Sequence, residues 1–86
     1  MGNYAIDKAK LRPVDELHIA LQELDFSWYP VQVSKVIRLW DGGMDIRDIA
    51  DQVGRDGDEV FLLLMDLGRR GRIKPREGGV FGTGNA

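Results

Sequence analysis

Apolar residues fall three and four apart in several stretches of this chain, a spacing that puts them on one face of a helix. Val14, Leu17, Leu21 and Leu24 form the first such set. Pro13 suits a first helical turn, and Asp15 and Glu16 suit the positive end of a helix dipole. The spacing predicts a helix over 13–25, although the alternation Leu17, Ile19, Leu21 also fits a strand. Asp25–Pro30 interrupts the period with large aromatics, and Ser27 or Tyr29 is a candidate cap for the helix that Pro30 opens. There Val33, Val36, Ile37 and Trp40 trace one apolar stripe while Lys35, Arg38 and Asp41 face outward. Gly42 and Gly43 end it, because glycine takes a positive φ without steric cost.

Asp45 then caps a short helix whose inner side is Ile46, Ile49, Ala50 and Val53, and Gly54 stops it. Asp56, with Glu59 three residues on, makes a capping pair in which Asp replaces the usual Ser or Thr. A further helix is expected to run to about Arg70, with Val60, Leu63, Leu64 and Leu67 inward and Gly68 and Gly71 bracketing its end. Ile73 and Val80-Phe81 are short β-prone pieces around Pro75–Gly79, a segment with hairpin-tip composition. Residues 1–12 and 83–86 lack a sustained period and are expected to be flexible tails. Residues 13–82 are then a single domain, mostly α, with no internal repeat.

Composition narrows the classes. The chain has 86 residues, 43% hydrophobic and 30% charged. Such a length buries only about 60–65% of its unfolded surface, which leaves a thin core and little room for a deep catalytic pocket. The longest apolar run, Val60–Met65, is far short of the roughly 20 residues of a membrane helix. The first twelve residues are polar, unlike a signal peptide. There is no cysteine, hence no disulfide, thiolate metal site or cysteine nucleophile. These features lead to the expectation of a cytoplasmic protein of bacterial or phage type, with no membrane association.

The net charge of −2 conceals two unlike regions. Residues 13–68 hold twelve acidic side chains against four basic ones. Residues 69–86 hold Arg69, Arg70, Arg72, Lys74 and Arg76 against Glu77 alone, and Lys8, Lys10 and Arg12 form a smaller basic cluster near the start.

Ala50, Gly54 and Val60 each have a steric reason to stand where they do in two helices joined by a tight turn. Ala lets the helices cross, Gly supplies a left-handed turn, and Val wedges into the core. With a preceding helix and a following hairpin, residues ~31–82 resemble the winged helix-turn-helix family. The resemblance is carried by Asp45–Gly54, by Asp58–Ile73 and by the Arg-Arg-Gly-Arg and Gly-Gly segments after them. It implies a three- or four-helix domain with a short β-hairpin wing, binding double-stranded DNA as a regulator of transcription. Carried over by position, the second motif helix would offer Asp56, Gly57, Asp58, Phe61, Leu62 and Met65 to base edges. None is Arg, Lys, Asn or Gln, and the acidic ones would repel phosphate. DNA contact is therefore expected to be backbone-dominated, through Arg69, Arg70, Arg72, Lys74 and Arg76 on the wing and helix end, with Arg76 near the tip facing a minor groove. Arg47 and Arg55 are further candidate backbone contacts.

At about 100° per residue, Leu62 and Met65 point away from the core stripe and Phe61 lies at its margin, making this helix apolar nearly all round. Two readings follow. The 13–25 helix folds over that face through Leu17, Leu21 and Leu24, or the face joins a second copy or a protein partner. The second makes the chain a protein–protein interaction or assembly module without DNA binding. Gly68-Arg-Arg-Gly71 also resembles the Gly-x-x-Gly loop of KH domains, but the chain has too few β-prone residues for that fold's sheet.

Catalytic candidates are few. His18 is the only histidine, and Ser27, Ser34 and Thr83 are the only aliphatic hydroxyls. No triad, phosphate-loop or calcium-loop pattern links them, and Asp45, Asp48 and Asp51 suit a cap and an exposed face. No enzyme, cofactor or metal site is expected.

Overall fold

The computed structural model describes residues 17–83. Within them the elements are α1 (Pro30–Asp41), α2 (Ile46–Val53), α3 (Gly57–Arg69) and a 3₁₀ turn at Gly79–Phe81.

Local chemistry accounts for the helix ends. Pro30 opens α1, and the Tyr29 amide donates to Gln32 Oε1 at 2.9 Å. A glutamine reaching backwards thus does the capping expected of a Ser27 or Tyr29 side chain. Asp45 caps α2 by accepting from the Arg47 amide at 2.7 Å, and Asp56 caps α3 through the Asp58 amide at 2.7 Å. Gly54 takes the left-handed conformation at φ 69°. The Gly54 and Arg55 amides both donate to the Ala50 carbonyl, closing α2 and turning the chain into α3.

The turn stacks α2 on α3, and α1 packs on α2. Val36, Trp40, Ile49, Ala50, Val60, Leu63, Leu64, Leu67 and Ile73 make the buried core. Ala50 and Val60 are inward, as the helix-crossing argument requires, and Val36, Ile49 and Val60 have no exposed surface.

Three expectations need correction. The winged fold is the first: among the described residues there is no strand, and the stretch after α3 is irregular apart from the 3₁₀ turn. An isolated two-stranded hairpin is marginal in water, and here a competing arrangement wins. The chain curls inward so that Trp40 Nε1 donates to the Lys74 carbonyl at 3.0 Å. Gly82 passes so close to the Gly43 carbonyl that a Cβ there would collide with it.

The second concerns the helix over 13–25. Residues 17–25 contain turns and extended chain, and Leu21 has φ 63°, which no right-handed helix allows; residues 13–16 lie outside the described residues. The Asp25 carboxylate accepts from both the amide and the hydroxyl of Ser27, at 2.9 and 2.7 Å, giving this chain a local alternative to helix. Few helical turns would be available to offset nucleation.

The third is the Asp56–Glu59 capping pair. Glu59 does not reach back to its own helix start. It accepts instead from the Asp25 amide at 2.8 Å and from Arg55 Nε at 2.7 Å.

Candidate interaction surface

The basic side chains divide into those with partners inside the chain and those facing solvent. Arg76, expected at a wing tip, is folded inward. Its guanidinium donates to the carbonyls of Trp40 (2.6 Å), Gly79 (2.7 Å), Val80 (3.3 Å) and Met44, and lies 3.8 Å from the Trp40 ring centroid. It adds a charged donor to the carbonyl end of α1, where the Trp40 carbonyl also accepts from the Gly43 amide, and pins the segment after α3 to it. Burial pushes its pKa down, with Asp45 and Asp41 opposing that effect.

Arg55 likewise ties an irregular segment, the stretch before α1, to the helices. It donates to Glu59 at 2.7 Å, to the Ser27 carbonyl at 3.1 Å and to the Asp25 carbonyl at 2.8 Å, and it stacks 3.8 Å from the Trp28 centroid. Hydrogen bonds from the Asp25 amide and from Arg55 hold the Glu59 carboxyl below its ordinary range. Arg47 forms a two-pronged pair with Asp45, which lowers the Asp45 pKa to about 2. Arg70 pairs with Asp66 on the exposed flank of α3 at 2.9 Å.

Of the cations expected to meet DNA, Arg69, Arg72 and Lys74 are therefore the ones whose side chains have neither a carboxylate nor a carbonyl partner among the described residues. All three are exposed, and they follow one another where α3 ends.

The apolar outer face of α3 is split. On one side Leu62 and Leu63 join Leu21, Phe26 and Trp28 around a depression of about 420 Å³, rimmed by Glu59, Asp66 and Arg70. Leu21 does approach Leu62, but as part of a turn and not as a covering helix. On the other side Phe61 and Met65 remain 44% and 50% exposed. With Leu64 and Gly68 they form one wall of an apolar groove of about 440 Å³; Trp40, Ile73, Lys74, Pro75 and Val80 complete it.

Of the three side chains expected on the outer face of α3, Phe61 and Met65 line this groove and Leu62 lines the other depression; the groove's second wall had no counterpart in the sequence pattern. The roles of Arg76 and Trp40 were invisible because the partners that tie them across the fold, the Trp40 and Met44 carbonyls for Arg76 and the Lys74 carbonyl for Trp40, are backbone groups more than thirty residues away. Arg55 left only a weak signal, its spacing of four from Glu59, because it stands in the turn before the Asp56 cap and not on α3 itself.

No helix among the described residues is long and apolar enough to cross a membrane, and no group of three or more His, Asp or Glu side chains there could hold a metal ion. Comparison with protein-family models, curated proteins and solved structures finds no match.

Proposed function

We propose that this chain is a non-enzymatic protein-interaction module that docks a partner on the Phe61–Met65 side of α3. The observation that carries the reading is the pair of large apolar side chains left half exposed beside a groove with a buried-type lining. Aromatic and methionine side chains around a concave centre are the composition of interface hot spots. Four of the cations that would otherwise favour nucleic acid are engaged within the chain, and Asp56 and Asp58 keep the start of α3 acidic.

A displayed library of random 12-residue peptides, selected on the wild type and on Phe61→Glu/Met65→Glu, tests this. Both substitutions are at exposed positions, so the variant is expected to keep its circular dichroism spectrum and lose the enriched peptides. Equal enrichment on both proteins, or none on either, would refute the docking role.

The second reading is a DNA-associated module, favoured by Arg69, Arg72 and Lys74 standing together after two helices joined by a tight turn. It predicts binding to a random-sequence duplex that weakens steeply with salt and is lost in Arg72→Glu/Lys74→Glu. Absent or salt-independent binding rules it out.

A further inference from the structure

The groove beside α3 carries two features that the chain itself does not use. Gly68 is the first. It has an ordinary helical backbone, and a Cβ built on it would meet nothing within 4 Å. Glycine in a helix costs about 1 kcal/mol relative to alanine, and here neither a left-handed turn nor a close approach of other chain demands it. Its position on the groove wall gives it an effect all the same, since the missing side chain leaves the groove open next to Leu64 and Met65.

The second feature is the charge along one edge. Lys74 lines the groove, and Arg72 and Arg69 flank it in the chain. The one carboxylate close by on α3, Asp66, turns to Arg70 on the opposite flank, and Glu77 pairs with none of the three. The groove therefore has an apolar centre with Lys74 in its lining, and the exposed Arg69 and Arg72 adjoin the lining residues Gly68 and Ile73 in the chain, while acidic side chains outnumber basic ones over residues 13–68.

We propose that this groove binds a short amphipathic segment of a partner protein that presents bulky apolar side chains to Phe61, Met65 and Trp40 and carboxylates to Lys74, Arg72 and Arg69. The inference rests on the docking reading above and adds to it the chemical class of the partner. Apolar anchors supply most of the affinity, and the rim charges set orientation and reject basic segments. A groove of this volume holds a few large side chains, not a folded domain, so the partner element is a peptide-like stretch or one helix face. Methionine in the wall allows the lining to adjust to different apolar anchors.

The same random 12-residue library decides the matter when it is selected in parallel on wild type, Arg72→Glu/Lys74→Glu and Gly68→Leu. The wild-type pool is expected to be rich in Asp and Glu beside paired apolar residues. The charge-reversed protein is expected to select Lys and Arg in their place and to bind synthetic wild-type peptides about tenfold more weakly. Gly68→Leu, whose new side chain projects into open space, is expected to stay folded by circular dichroism and to recover none of that pool. Groove-dependent peptides without an acidic bias, or the same pool on the charge-reversed protein, would overturn the acidic-partner inference and leave the docking site standing. No peptide sensitive to Gly68→Leu would overturn both. Self-association in sedimentation that Gly68→Leu abolishes assigns the groove to a second copy, and duplex binding at physiological salt that needs Arg72 and Lys74 assigns the cations to phosphate; either overturns the proposal.

Discussion

Arg76 donates to carbonyls from α1, from the chain just after it and from the 3₁₀ turn, so one substitution releases three pieces of structure. Hydrogen bonds to a charged group are worth roughly 1.5–3 kcal/mol each, and Arg76→Ala is expected to lower unfolding free energy by at least about 2 kcal/mol in urea titrations. Arg76→Lys should restore little, because an ammonium is a point donor and cannot span carbonyls around a ring face. A lysine variant as stable as wild type would show that charge alone holds this end. Two glycines give a complementary pair. Neither Gly54 nor Gly68 has anything within 4 Å of a built Cβ, but Gly54 has φ 69° and Gly68 is helical. Gly68→Ala is therefore expected to stabilise by up to about 1 kcal/mol, and Gly54→Ala to destabilise by about 1 kcal/mol, since a Cβ disfavours the left-handed region. Thermal melts that move in the same direction for both would contradict this account of the backbone.

The helices themselves were legible because capping and periodicity act between near neighbours. The bounds of α1, α2 and α3 follow from Pro30, Asp45, Gly54 and Asp56, all local signals. The segments that flank them were not legible, since their conformations are set by distant groups. The stretch 21–28 answers to Arg55 and Glu59, and the stretch after α3 answers to Trp40 and Arg76. Leu17, Leu21 and Leu24 have helical spacing, yet the turn at Leu21 prevails once Asp25 is tied to Glu59 and Arg55. Of the candidate site, the outward positions of Phe61 and Met65 followed from helical angles alone, whereas the wall opposite them did not. The same element ends predict the pH response. Asp45, Asp25 and Glu59 all have depressed pKa values in the folded chain, through hydrogen bonds from Arg47, Ser27 and the Asp25 amide respectively. A depressed carboxyl stabilises above its unfolded value and loses that contribution as pH falls through the folded one. The melting temperature should therefore be level above about pH 5 and decline toward pH 2. Glu59→Gln should flatten part of that decline and loosen residues 25–28, seen as faster amide exchange there. An acid limb unchanged by Glu59→Gln would remove Glu59 from this role.

At the scale of the molecule, charge and apolar surface separate. The acidic side chains cap helices and cover the outer faces of the body. Among the basic ones, Arg55 and Arg76 staple the irregular ends, Arg47 and Arg70 pair with carboxylates on their own elements' flanks, and Arg69, Arg72 and Lys74 stand at the exit of α3. A net charge of −2 is the residue of that division and says little about partners. Because Arg76 is consumed internally and Arg70 is paired with Asp66, the phosphate-binding capacity suggested by five clustered cations shrinks to Arg69, Arg72 and Lys74, while the apolar groove stays open. Sedimentation of Phe61→Glu/Met65→Glu beside the wild type is expected to show both as folded monomers; wild-type self-association lost in the variant would assign the groove to a second copy, and an unfolded variant would mean that these side chains belong to the core. The most direct test of the docking site is a ¹H–¹⁵N shift map of the wild-type protein titrated with a peptide enriched from the random library. The account predicts that the perturbed signals gather at Phe61, Leu64, Met65, Gly68, Ile73 and Val80, together with the Trp40 indole. Perturbations centred on Leu21, Phe26 and Trp28, or spread evenly over the acidic faces, would contradict it.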